Sequence, residues 1–125
     1  MYRTFLKAAD KALPRTLQKT WYLRQRIRRQ FEAYKKETDP IKRLEWESRA
    51  KNTLLLVQLA SQRRGLENDI IKNLAELEYH RTKFNERSPL AYHKIRPEVQ
   101  QLHQNADKDL EIVIDKLNKE LNLCL

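Results

Sequence analysis

The 125-residue chain holds one cysteine (Cys124), one glycine (Gly65) and four prolines. A single thiol makes no intramolecular disulfide and gives a metal no second thiolate, which points to a reducing, matrix-like compartment. One glycine excludes a glycine-rich phosphate loop. No apolar run approaches the ~20 residues that cross a bilayer, so an integral membrane protein is not expected. The three histidines, His80, His93 and His103, have no acid or cysteine at ligand or triad spacing, so neither a metal centre nor an enzyme is expected. His80 with Glu76 reads as a helix-surface pair. Glu76, Glu78 and the group Asp107, Asp109 and Glu111 read as solvated acids on helices.

Acids are also scarce in one stretch. Residues 1–36 contain only Asp10 and Glu32, against eleven lysines and arginines, while residues 37–125 balance at fifteen acids and fifteen bases. The whole formal charge of +9 therefore sits in the first 36 residues. Such a lopsided field costs self-repulsion on compaction, and an acidic partner that meets this segment is the expected reason to keep it. A basic, acid-poor, amphipathic beginning also has the composition of a mitochondrial import signal.

What is present is helical. At 34% charged and 40% hydrophobic residues the chain can fold as one domain with a modest core. Phe5, Leu6, Ala9 and Leu13 have helical spacing, and Pro14 breaks the ladder, so helix one ends near Ala12. From Arg15 to about Lys36, Leu17, Trp21, Leu23, Ile27, Phe31 and Tyr34 form the apolar side of helix two, with arginines opposite. Asp39-Pro40 then restarts the chain as helix three, Asp39 capping free amides and Pro40 occupying a position that needs no donor. Its stripe is Ile41, Leu44, Leu55 and Leu59, with Leu54, Leu56 and Val57 alongside. Beyond Gly65, a kink or a break, it resumes as Leu66, Ile70, Leu74, Leu77 and Phe84. A linker over 88–97 follows. Pro97 opens a last helix whose seam, Val99, Leu102, Ala106, Leu110, Val113, Leu117 and Leu121, fits one partner helix. The half-helix 66–84 is its expected mate, making a hairpin appended to a smaller core. The last helix is acidic, with six acids and three bases from Glu98 onward.

The basic face suits nucleic-acid phosphate, anionic lipid or an acidic protein. Phe5, Leu6, Trp21, Ile27 and Phe31 are needed for the core, which argues against membrane adsorption. Trp21 and Tyr34 are placed on the apolar side, away from a role as base-stacking platforms.

Met1-Tyr2-Arg3, Phe5-Leu6-Lys7, Tyr22-Leu23-Arg24, Ile27-Arg28-Arg29-Gln30-Phe31 and Asp39-Pro40 together resemble the LYR-motif family of small mitochondrial proteins. Met1 stands where leucine is usual, a change that keeps apolar volume. The resemblance covers about residues 1–60. It implies an all-α fold, an antiparallel three-helix bundle over residues 1–64, here extended through 65–125 by the hairpin. It implies a non-enzymatic adaptor in the mitochondrial matrix, with no cofactor of its own. Its partner would be mitochondrial acyl carrier protein, whose acyl-4′-phosphopantetheine enters a tunnel between the helices. By the same resemblance Tyr2 and Arg3 lie near the pantetheine phosphate and Lys7 extends that edge. Arg24, Arg28, Arg29 and Lys35 would pair with carrier acids, and Phe31 would line the tunnel. Periodicity adds Phe5, Leu6, Ile27, Leu55 and Leu59 as walls. The client would be a larger complex, with a lean to the mitochondrial ribosome and a possible rRNA contact. A respiratory complex is the alternative client, and a basic helical RNA-binding protein the rival class.

Overall fold

The computed structural model describes residues 1–13, 19–85 and 96–125, with the side chains of residues 84 and 85 excepted. These residues form an all-α structure of five helices and no strand: α1 (Tyr2–Ala12), α2 (Lys19–Lys36), α3 (Pro40–Gln62), α4 (Leu66–Asn85) and α5 (Pro97–Glu120). The break expected at Pro14, the start of helix two at Arg15, Leu17, and nearly all of the 88–97 linker lie outside the described residues. So does the side chain of Phe84. No helix is long and apolar enough to cross a membrane among the described residues.

Local signals set several helix ends. Asp39 Oδ1 accepts the Ile41 amide at 3.0 Å, and Pro40 opens α3. Such a cap stabilises by about 1 kcal/mol. The chain breaks at residues 63–65 and α4 folds back on α3. Asn68 closes this turn, its Nδ2 donating to the Ala12 carbonyl at 2.8 Å and the Ala60 carbonyl at 2.9 Å. One amide thereby ties the carboxyl ends of α1 and α3 to the start of α4.

Around the bundle the order is α1, α2, α4, α3, each helix packing on its two neighbours. Helices α1 and α2 run antiparallel, for Tyr2 meets Phe31 and Asp10 meets Arg24. The tightest pairing, α1 on α3, is made of small side chains: Ala8, Ala9 and Ala12 are buried on α1, and Ala50, Thr53, Val57 and Ala60 on α3. Short side chains let the helix axes approach toward the lower end of the ~8–10 Å range.

This choice of face corrects the expected stripe. Leu55 is 58% exposed and Leu59 41%, and Ile41 and Leu44 also face solvent. Because α3 carries the run Leu54-Leu55-Leu56-Val57, that stretch is apolar all round, and the largest residues do not mark its inner side. Trp21 likewise is 56% exposed, and Leu23 takes the buried place on α2.

Helix α4 buries Ile71, Leu74, Ala75 and Glu78 in the shared core. It is thus the fourth wall of the core and not an arm of an outer hairpin. With α5 it makes ion pairs through Arg81, to Asp107 at 3.7 Å and Glu111 at 3.4 Å. The α5 seam is largely open, with Val99, Leu102, Leu110, Val113 and Leu121 exposed and only Ile114 and Leu117 packing on the core. After α5 the chain turns inward. Asn122 adopts a left-handed conformation (φ 50°), and the Leu123 amide donates to the Asn118 carbonyl at 2.9 Å, the bond of a Schellman-type helix end. That turn sends Leu123 and Leu125 into the core, where each contributes about 1.5–3 kcal/mol by burial.

Candidate functional site

Phe31 is the centre of an aromatic cluster. Its ring stands edge-on to Tyr2 at 5.2 Å, Phe5 at 5.5 Å and Trp46 at 5.1 Å between centroids. Trp46 stacks on Tyr34 at 4.1 Å, the Tyr34 hydroxyl donates to Glu47 at 2.7 Å, and the Arg43 guanidinium lies over the Tyr34 ring. The sequence places these rings on three helices, and the antiparallel α1–α2 pairing brings the first turn of α1 against the last turns of α2.

Beneath the cluster is an inner apolar cavity of about 40 Å³, walled by all four core helices, with Phe5, Ile27, Phe31, Val57, Ile71 and Leu74 among its lining. Three of the six expected tunnel residues, Phe5, Ile27 and Phe31, therefore meet on one space. Leu6 is half-buried but does not line it, and Leu55 and Leu59 lie on the opposite side of α3 from its lining residues. The space is about a quarter of the ~150 Å³ apolar cavity that takes up one benzene. A second, outer cavity of about 340 Å³ opens beside it, with Tyr34, Glu37, Lys42, Glu45, Arg49 and Asn118 in its wall. Gln30, Trp46, Cys124 and Leu125 line both.

The expected carrier-facing bases divide into two groups. Arg3, Lys7 and Lys35 are exposed, and no ion pair reaches them among the described residues. Arg3, Lys7 and Lys11 follow one another at i, i+4 and so share a face of α1, beside the exposed Tyr2. Arg24, Arg28 and Arg29 already have acids within the chain: Asp10 at 3.6 Å, Glu32 at 3.0 Å and Glu78. Arg28 and Glu32 are an exposed pair that stabilises little and parts readily for a partner. Arg29 reaches the buried Glu78, although its own side chain is 63% exposed.

Glu78 corrects the reading of α4's acids as solvated. It is 4% exposed and accepts from both Arg26 Nη1 and Arg29 Nη2, a two-arginine clasp between α2 and α4. Arg26, which the sequence did not single out, lines the inner cavity, and its Nε is buried with no hydrogen-bond partner among the described residues. Glu76 is engaged too: the Lys19 ammonium at 2.7 Å holds its carboxyl below the usual carboxylate range, helped by Lys72 and His80. Trp46 was also missed. Its signal is the sequence Trp46, Ala50, Thr53, Val57, Ala60 at spacings of four and three, legible once alanine and threonine count as core formers.

Residues 123–125 supply the remaining wall. Thr53 Oγ1 accepts the Cys124 amide at 2.9 Å and lies 3.4 Å from its Sγ, and the Leu125 amide donates to Asn118 Oδ1 at 2.8 Å. Burial pushes the Cys124 thiol above its ordinary value of 9.0, with Thr53 and Arg49 pulling the other way. The folded protein thus holds this proton more tightly than the unfolded chain. The stability so gained is fully present below pH 9.0 and is lost as pH rises through the raised value. Melting temperatures taken from about pH 8 to about pH 10.5 are expected to fall more steeply for the wild type than for Cys124→Ala. Parallel curves would count against a thiol held in this way.

The arrangement defines a four-helix core with a basic edge and an aromatic-lined apolar cavity at one end. No family model matches the chain, and neither a curated protein nor a solved structure matches it.

Proposed function

We propose that this chain is a non-enzymatic LYR-type adaptor that binds mitochondrial acyl carrier protein and receives its acyl-4′-phosphopantetheine between the helices. In this reading α1, α2 and α3 are the LYR-type bundle and α4 closes its fourth side. The observation that carries it is the position of Phe31, joined to Tyr2 and Phe5 above an apolar cavity and next to the exposed bases of α1. The apolar lining of the cavity matches an acyl chain in chemistry, by the hydrophobic effect, and a phosphate with acidic carrier residues suits Arg3, Lys7 and Lys35. The protein acts in the matrix and supports assembly or stability of a mitochondrial complex. The mitochondrial ribosome is the leading client and a respiratory complex the alternative. The open face of α5 is available for that client.

A second reading, a basic helical RNA-binding protein, is favoured by Trp21, an exposed indole on the arginine-rich α2 and edge-on to Tyr22 at 5.0 Å. Tagged protein isolated from mitochondria and weighed intact in its native complex separates the two. A carrier protein bearing an acyl group is the expected partner. Arg3→Glu/Lys7→Glu should weaken purified carrier binding about tenfold or more, with the salt dependence reduced. Bound RNA that survives this variant and is lost with Trp21→Ala, with no carrier protein present, would establish the second reading instead.

A further inference from the structure

We propose that residues 123–125 are a displaceable partition between the inner and outer cavities, and that an acyl chain bearing a polar head enters from the outer cavity by exchanging with them. The inference rests on the acyl-binding reading above and concerns how that site is regulated.

The partition between the two cavities is this segment itself. Cys124 and Leu125 face both spaces, and Leu123 lines the outer one. At about 40 Å³ the inner cavity admits no acyl chain while they are in place. Withdrawal of the segment joins it to the 340 Å³ outer space. The outer wall mixes Lys42 and Arg49 with Glu37, Glu45 and the Tyr34–Trp46 stack, a lining suited to an amide-rich arm more than to a bare hydrocarbon tail. Polar arm outside and apolar chain inside is the chemistry of an acylated pantetheine.

The segment is built to leave without unfolding a helix. It follows the end of α5 at Glu120, hinges on the left-handed Asn122, and is held by a few hydrogen bonds: Asn52 to the Asn122 carbonyl, Thr53 to Cys124 and Asn118 to Leu125. The side chains of Leu123 and Leu125 together bring about eight carbon atoms, comparable with a medium acyl chain, so the exchange is nearly balanced in apolar burial. Contacts between the carrier and the basic edge then decide its direction. A balanced exchange gives a site that stays closed to water until a loaded carrier arrives and reports its load by releasing the segment.

Cys124, the only thiol of the chain, is the reporter. The full chain is treated with N-ethylmaleimide alone, with unacylated holo-carrier protein, with decanoyl carrier protein and with free decanoate, and its intact mass is followed over time. Decanoyl carrier protein is expected to raise the labelling rate at least about tenfold, and the unacylated carrier to leave it within about twofold. Leu123→Asp/Leu125→Asp, its helix content checked by circular dichroism, should label fast with no ligand and bind decanoyl carrier protein several-fold more tightly, its partition no longer in place. Decanoyl carrier protein that binds the wild type by gel filtration without speeding the labelling, and no more tightly to the variant, overturns the exchange and leaves the adaptor reading standing. Acceleration by free decanoate with no binding of any carrier supports the exchange and removes the adaptor. No response to either ligand overturns both.

Discussion

Glu78→Gln is expected to lower the unfolding free energy by about 3 kcal/mol. The carboxylate is almost fully buried and is shared by Arg26 and Arg29. The two arginines are not equal in consequence. Arg29's side chain is 63% exposed and finds water when the acid is removed, so its pairing adds little. Arg26's is 15% exposed, its Nε already lacks a partner among the described residues, and it faces the apolar cavity. Without Glu78 its charge stays in a poorly solvated place, and that uncompensated charge is what costs the stability. At roughly 3–4 °C per kcal/mol for a chain of this size, the melting temperature should fall by about 10 °C. Urea unfolding followed by circular dichroism measures the loss directly. The double variant Glu78→Leu/Arg26→Met should recover most of it, because two apolar side chains remove the buried charge together with its partner. A loss below about 1 kcal/mol for Glu78→Gln would mean that the clasp is open to water.

Phe31→Ala is expected to separate binding from folding. The ring is only partly buried, so its removal should cost about 3 kcal/mol, the lower end of the range for a truncated core phenylalanine. Its three edge-on contacts account for part of that loss, at about 0.5–1.5 kcal/mol each. Helix content at 25 °C should remain, since α1 and α3 hold together through their alanine faces and α2 and α4 through Glu78. Affinity for decanoyl carrier protein should fall by about a hundredfold, because the ring both lines the inner cavity and seats Tyr2 beside the basic edge. Phe31→Leu, which keeps apolar volume, should restore stability more than affinity. Calorimetric titration beside thermal melts distinguishes the two effects. Global unfolding of Phe31→Ala would mark the ring as plain core and withdraw its support from the acyl site.

Helix limits and charge were the legible part of this protein, and the inner face of α3 was not. Asp39-Pro40 and Pro97 act within one or two residues of themselves, so the starts of α3 and α5 could be placed without knowing what packs nearby. On α3 a four-residue apolar run blurred the period, and a preference for large side chains selected Leu55 and Leu59. The helix pair instead closed over Ala50, Thr53, Val57 and Ala60, which permit a nearer approach. Phe5, Ile27 and Phe31 line one cavity, as a shared space requires, because they lie on amphipathic helices with a single apolar side.

The excess of bases in residues 1–36 was equally plain, but a count of charges does not say which are spent inside the molecule. Glu78 lies 49 and 52 residues from the arginines it clasps. Likewise nothing local announced that Cys124 and Leu125 would wall a space whose other walls begin at Phe5. The sequence by itself determined the helical class, where most of the described helices start and stop, and the placement of the whole net charge at one end of the chain, because these depend on neighbours within a turn. The tertiary structure decided which face of α3 is buried, which arginines are paired within the chain, and which residues wall the cavity, because each needs a partner from a distant part of the chain.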